Sequence, residues 1–411
     1  MKFLLQFAWK NLFRYSRRTL ITASAIAVGL CLYIYIDSML TWADQESITN
    51  LRLYETSSAK IINPENLDDL KKGKFDNLVD SPEPIYSLLR QMNIPFTPRM
   101  TFAAEAIVED GSLFVTATGI DIATDENVFS FQKTIVEGRY PQAGTSEVLM
   151  GDGAARNLKV RLGDYISLRS RTPDGYYQTM DLQIVGLMKC PNPQINRSAI
   201  YIPLDTVDSL LYLEGRVSEI DLAYPEYGKI EEQIRPLEEK LSAFPGVMIA
   251  DWKILGKDFL NVSASKSAGT KIILLMVFVI AAVGISNTML MAIFERIREI
   301  GMMRALGMRK NQIRTTFIME AGGIGFLGGL MGVAVGLFLV WTLTTWGIDF
   351  RSMLTEDMDI GYRSEGIFYG IWNFGTMAKA LVVGVLLSSL VAFIPASKAL
   401  KMSITDALHH N

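Results

Sequence analysis

Histidine and cysteine are almost missing from these 411 residues. Their scarcity closes off most hydrolytic and metal chemistry. The only histidines are His409 and His410, side by side near the C-terminal end, where a solvated tail is the ordinary reading. No Ser–His or Cys–His nucleophilic pair and no His-rich zinc site can be assembled from the rest of the chain. Of the two cysteines, Cys31 falls in a long apolar run and Cys190 in a polar region, so no disulfide framework is expected. The phosphate-cradling pattern G-x-x-x-x-G-K-[ST] is absent as well, which leaves the chain without a P-loop to hydrolyse ATP. Neighbouring acids such as Asp68 with Asp69, or Glu231 with Glu232, read as solvated faces rather than acid/base pairs. The chain is therefore not expected to be an enzyme.

What the chain does have is apolar residues in blocks. A hydrophobic share of 49% against 20% charged is too oily for a soluble protein of this length. Four runs, near residues 19–40, 272–294, 316–346 and 375–394, can each cross a bilayer of about 30 Å at roughly 1.5 Å per residue. The third exceeds the need and is expected to tilt or project. The first is roughly twice as long as the apolar core of a secretory signal, which favours an uncleaved anchor.

Charge orients the spans. Lys2, Lys10, Arg14, Arg17 and Arg18 precede the first, and Arg296, Arg298, Arg304, Arg309, Lys310 and Arg314 follow the second. Lys398 and Lys401 follow the fourth, whereas the segment between spans three and four holds Asp349, Glu356, Asp357, Asp359 and Glu365. The positive-inside rule puts both termini in the cytoplasm and the large segment outside. The expected fold is a membrane α-helical protein with four transmembrane helices and a large α+β extracytoplasmic domain inserted between helices 1 and 2.

The boundaries read as follows. An interfacial amphipathic helix at 1–18, apolar through Phe3, Leu4, Phe7, Leu12 and Tyr15, leads into transmembrane helix 1 at 19–41. The outer domain covers 42–252, where strand-like runs near 106–108, 113–118, 147–150, 165–169, 183–188 and 199–202 alternate with helical stretches at 83–92, 204–213 and 229–244. Pro236 is expected to distort or divide the last of these. A stalk helix at 253–270 precedes transmembrane helix 2 at 271–294. A cytoplasmic helix at 295–315, transmembrane helix 3 at 316–347, an outer loop at 348–374, transmembrane helix 4 at 375–397 and a tail at 398–411 complete the chain.

Two patterns stand out inside this frame. The run 293–308, IFERIREIGMMRALGM, alternates charge and oil at helical spacing just where the second apolar run ends. A short amphipathic helix there is suited to meet a water-soluble partner; its surface residues are Glu295, Arg296, Arg298, Glu299 and Arg304, with Ile300, Gly301, Leu306 and Gly307 between them. The third apolar run carries Gly325, Gly328, Gly329, Gly332 and Gly336, a small-residue ladder that lets helices approach closely in lipid. Packing within the chain and a dimer interface would both use it. Asn287, mid-span in the second run, is expected to hydrogen-bond another helix.

These motifs resemble those of MacB/FtsX-like ABC transporter permeases. Residues 8–22 (AWKNLFRYSRRTLIT) look like the family's opening signature. Residues 286–290 (SNTML) and 295–307 (ERIREIGMMRALG) resemble its coupling-helix signature closely, and 395–399 (PASKA) with 404–408 (ITDAL) resemble its usual ending. In the outer domain 137–141 (EGRYP), 147–151 (EVLMG) and 184–186 (IVG) fit more loosely. The resemblance implies a permease of the mechanotransmission class, with Glu295, Arg296, Arg298, Glu299, Ile300, Gly301, Arg304, Leu306 and Gly307 coupling it to an ATPase. It holds no cofactor itself; ATP and Mg sit on a cytoplasmic ABC ATPase subunit dimer. The implied partners are that ATPase, a second permease (identical or paralogous), a periplasmic adaptor or lipoprotein carrier, and the lipid bilayer, with no nucleic acid. The implied location is the bacterial inner membrane and the implied cargo a lipoprotein or another amphiphile. The outer domain is larger than in cell-division members, and its length and layout match lipoprotein-releasing members. The E-R-x-R-E-I-G form is nearer the macrolide-exporter type. A non-transporting transducer that controls an envelope enzyme or sensor is the alternative.

Overall fold

The computed structural model describes residue 14 and residues 16–66, 77–225, 227–353 and 361–399. Most of the expected interfacial helix at 1–18, the pair Asp68 and Asp69, the acids Glu356, Asp357 and Asp359, and the tail with His409 and His410 lie outside the described residues. The chain divides into two units. One comprises Asp44–Ser263 with Phe350–Ile367, and the other Met1–Ala43, Ala264–Asp349 and Phe368–Asn411.

The helices are α1 (Ser16–Leu51), α2 (Glu83–Gln91), α3 (Asp152–Leu158), α4 (Pro193–Ser198), α5 (Leu204–Leu211), α6 (Ile230–Leu241), α7 (Trp252–Leu255), α8 (Lys257–Glu295), α9 (Ile297–Ala305), α10 (Lys310–Trp346) and α11 (Phe374–Ala399). The strands of the first unit are β1 (Ala59–Ile62), β2 (Phe96–Val108), β3 (Gly111–Ile120), β4 (Ile135–Gly138), β5 (Glu147–Gly151), β6 (Tyr165–Arg171), β7 (Tyr177–Met188), β8 (Ala199–Pro203), β9 (Glu219–Leu222) and β10 (Met248–Asp251).

These strands form one sheet in the order β10-β1-β9-β2-β3-β8-β5-β7-β4, with β6 pairing β2 and β7. β3 runs parallel to β8 and β5 parallel to β7, and the remaining pairs are antiparallel. One apolar core joins Met100, Phe102, Val115, Ile166, Leu182 and Ile200 of the central strands. A second joins Ile61, Leu222 and Ile249 of the β10-β1-β9 edge to Ile85 and Leu89 of α2 and to Ile234 and Leu237 of α6. Pro236 does not divide α6. An internal proline costs about 3 kcal/mol, but Ile230, Ile234, Leu237 and Leu241 are all buried at about 1.5–3 kcal/mol each. Pro236 itself lies on the exposed side.

The edge strands bury charge. Register sets Lys60 of β1 opposite Asp221 of β9, and Arg99 of β2 opposite Glu219. Lys60 Nζ lies 2.6 Å from Glu219 Oε2 and 3.4 Å from Asp221 Oδ1, and Thr101 Oγ1 donates to Glu219 Oε1 at 3.0 Å. The Arg99 guanidinium donates through Nε and Nη2 to Asp125 Oδ1 at 2.9 and 2.7 Å and lies 3.4 Å above the Phe129 ring. Tyr140 OH donates to the other Asp125 oxygen at 2.8 Å. Lys60, Arg99, Asp125, Glu219 and Asp221 are all buried, so each charge must be answered locally. Burial lifts the Asp221 carboxyl to about 7, against the pull of Lys60. Burial alone would lower Lys60, but Asp221 and Glu219 outweigh it and raise the ammonium.

Among the described residues, three helical stretches are long and apolar enough to cross a membrane: Thr19–Thr56, Lys310–Trp346 and Phe374–Lys398. The second expected span lies inside α8, where the apolar stretch found among the described residues is the shorter Ala282–Glu295. A Cβ on Gly328 would meet Ala23 O at 2.7 Å, and one on Gly332 would meet Ala27 O at 2.9 Å. Gly336 faces Ile34 at 3.2 Å. On the opposite side, a Cβ on Gly325 would meet Gly384 O at 2.6 Å and one on Gly329 would meet Leu381 Cδ1 at 2.6 Å. The ladder thus lets α10 touch α1 on one side and α11 on the other. Asn287 lies on the exposed side of α8 within this chain.

Two outcomes follow. Gly328→Ala pushes a methyl against the α1 backbone, so overpacking of about 1–3 kcal/mol should lower the melting temperature of the detergent-solubilised protein. Gly284→Ala, which meets no atom within 4 Å, should leave it unchanged or slightly raised. Asp221 is raised in the folded state, so its contribution to stability is present below the usual carboxylate range and lost as pH rises through about 7. Asp221→Asn should therefore gain on the unsubstituted protein between pH 5 and pH 8, by at least about 2 °C, the shift that ~1 kcal/mol gives at this size. A constant difference across that range would refute it.

Candidate coupling site

The apolar run of α8 ends at Glu295, and Arg296 leaves helical geometry at φ −110°, ψ 19°. α9 begins at the next residue. The expected single helix over 295–315 is therefore two elements, because α9 stops at Ala305 and α10 already starts at Lys310. The stop is written in the backbone. Met308 N donates to Met303 O at 3.0 Å and Gly307 N to Arg304 O at 3.1 Å, with Gly307 at φ +93°. This is the 6→1 and 5→2 pairing of a glycine-terminated helix. At the restart Arg309 N donates to Gln312 Oε1 at 2.9 Å, the N3-side-chain half of a capping box.

Within α9, Glu299 sits in the first turn and Arg304 in the last, each at the end the helix dipole favours. Ile297, Ile300 and Gly301 are buried. Ile300 joins Ile293 of α8, Ile313 and Phe317 of α10 and Ala396 of α11 in one apolar cluster, with Met303 and Met308 against it. The opposite side presents Arg298 and Met302, followed by Leu306, which is 84% exposed beyond the helix end. Glu295 and Gly307 are also exposed, and Glu299 and Arg304 are half-buried. The 3.8 Å pair between Glu299 and Arg14 joins two solvent-facing side chains and contributes at most a few tenths of a kcal/mol.

Two residues depart from the sequence reading. Leu306 is an apolar residue between the charged ones in sequence, but the helix has ended by then and its side chain is exposed. Arg296 was placed on the partner-facing surface, yet it is only 4% exposed, with Nη1 3.1 Å from Glu320 Oε2 and 3.3 Å from Oε1. Glu320 of α10 is equally buried. Sequence reasoning passed over it, although an acid inside an apolar span was itself the signal.

The outer unit holds a second feature, a cavity of about 660 Å³ lined by Lys60, Arg99, Thr101, Tyr201, Glu219 and Asn192 among others. Its walls carry both charge signs; Lys60 pairs with Glu219 within the lining, while Arg99 pairs with Asp125 behind it. Among the described residues no group of three His, Cys, Asp or Glu is placed to hold a metal ion.

Comparison with known proteins fits both units. The family model described as MacB-like periplasmic core domain matches residues 19–235, and FtsX-like permease C-terminal matches residues 271–404. An uncharacterized ABC transporter permease of Methanocaldococcus jannaschii is 28% identical over 50% of this chain and 51% of its own. A macrolide export ATP-binding/permease protein MacB of Agrobacterium fabrum is 21% identical over 98% of this chain and 60% of its own. The corresponding MacB of Escherichia coli is 22% identical over 97% and 59%. The periplasmic region of MacB from Actinobacillus actinomycetemcomitans covers 52% of this chain and 96% of its own, at 15% identity and a TM-score of 0.36. The chain thus spans about half to 60% of the length of these curated relatives. With one family model covering more than half of it and a second most of the remainder, the chain belongs to the MacB/FtsX-like ABC transporter permease family.

Proposed function

We propose that this chain is the transmembrane subunit of an ABC transporter, one that carries ATP-driven motion from a cytoplasmic ATPase to its outer domain. The observation that carries the reading is the form of α9. It is a short, doubly terminated helix whose inner face is packed on α10 and α11 while Arg298, Met302 and Leu306 are exposed on the other side. A surface of mixed charge with a protruding leucine is suited to a groove on a soluble partner. These 411 residues hold no P-loop pattern, so in this reading the ATP chemistry lies on an ABC ATPase outside them.

In this reading α8 supplies a fourth span, through its residues 271–294, and both termini lie in the cytoplasm, as the basic flanks favour. The outer domain faces the periplasm or exterior of a bacterial inner membrane. Two permeases, identical or paralogous, act with an ATPase dimer. The cargo is amphiphilic, a lipoprotein or an exported small molecule, handed to a periplasmic adaptor or lipoprotein carrier. The relatives named as macrolide exporters support export as the class of work.

The test is stimulation of ATP hydrolysis in the complex with its ATPase, reconstituted in lipid. Reversing charge with Arg298→Glu and Glu299→Arg, replacing the knob with Leu306→Asp, or breaking α9 with Arg304→Pro should each cut permease-dependent ATP hydrolysis at least about tenfold, about 1.4 kcal/mol of coupling. Each variant should still accumulate in the membrane. Full stimulation in all of them would remove α9 from the contact.

A further inference from the structure

We propose that the buried Arg296–Glu320 pair is a positioning latch that holds α9 at a fixed angle on α10, so that a load on α9 is delivered to α10. The inference rests on the coupling reading of α9 and adds the route by which its motion travels.

α9 is joined to its neighbours by bends. Arg296 departs from helix on one side, and residues 306–309 turn about Gly307 on the other. Neither connection fixes an angle by itself, so tertiary contacts must do so. The cluster of Ile293, Ile300, Ile313, Phe317 and Ala396 supplies adhesion, but apolar burial has no direction. The ion pair is directional. Arg296 Nη1 donates to both carboxylate oxygens of Glu320, at 3.3 and 3.1 Å, and ties the hinge residue to a point almost three turns into α10.

A buried pair is also a poor choice for stability alone, since well-packed apolar residues of similar volume often serve as well or better. Its attested use is to select one arrangement over others. Here the arrangement selected is that of α9, whose outer side is exposed. Glu320 cannot face lipid inside an apolar span without a partner, so the pair stays closed as α9 moves and α10 moves with it.

Spin labels at Met302→Cys on α9 and Val335→Cys on α10, both exposed positions, report the angle as a distance distribution, and both native cysteines are buried. In the full chain, Arg296→Met with Glu320→Leu should accumulate normally and melt within a few degrees of the unsubstituted protein, yet its distance distribution should be at least twofold broader. Exchanging the charges, Arg296→Glu with Glu320→Arg, should narrow it again. Should the apolar pair not accumulate, Glu320→Gln, nearly isosteric, carries the same expectation. A distribution as narrow as that of the unsubstituted protein overturns the latch. Because no ATPase is present, the latch can fail while the contact assigned to α9 stands, and the contact can fail while the latch stands.

Discussion

Hydrocarbon offers helices no hydrophobic reason to associate, so the membrane unit depends on how closely its backbones can approach. Gly328, Gly332 and Gly336 bring α10 onto α1, and Gly325 and Gly329 bring it onto α11. With both sides of α10 engaged, its N-terminal turns become a fixed backing. Ile313 and Phe317 from those turns receive Ile300, and Glu320 receives Arg296. A short helix of nine residues, marginal alone in water, is held in place by that backing and leaves its other face exposed.

Both units hold charge in places where water is scarce, and both do so by pairing it. Lys60, Glu219 and Asp221 sit on facing positions of β1 and β9, Arg99 answers Asp125, and Arg296 answers Glu320. Ion pairs of this kind contribute little net stability and much specificity of arrangement. In the outer unit they fix which residues of short strands meet. In the membrane unit the buried Arg296–Glu320 pair falls at the junction between α8 and α9.

The sequence was most legible where pattern and environment agree. The central strands β2, β3, β5, β6, β7 and β8 contain all the runs picked out by alternation, and three of the four expected apolar spans were plain by length. β1, β9 and β10 were passed over because Lys60, Glu219, Asp221 and Asp251 interrupt their apolar pattern while being buried; alternation assumes that charge faces water. Pro236 misled for a related reason, since its local cost is smaller than the burial gained by the four aliphatic residues around it. At the coupling site, spacing located α9 and its charged residues, but not their directions. Leu306 turned outward because Gly307 ends the helix, and Arg296 turned inward because Glu320, far along the chain, was waiting for it.

The central claim is that the exposed face of α9 meets an ATPase, and the most direct measurement is photocrosslinking in living cells. A benzophenone amino acid in place of Leu306 should capture a protein carrying G-x-x-x-x-G-K-[ST], identified by mass spectrometry, with a yield that changes on ATP depletion. The same group in place of Leu330, exposed on α10, should not capture it. If Leu306 captured no such protein, or if the Leu330 position captured it equally well, α9 would not be the site where this permease receives its motion.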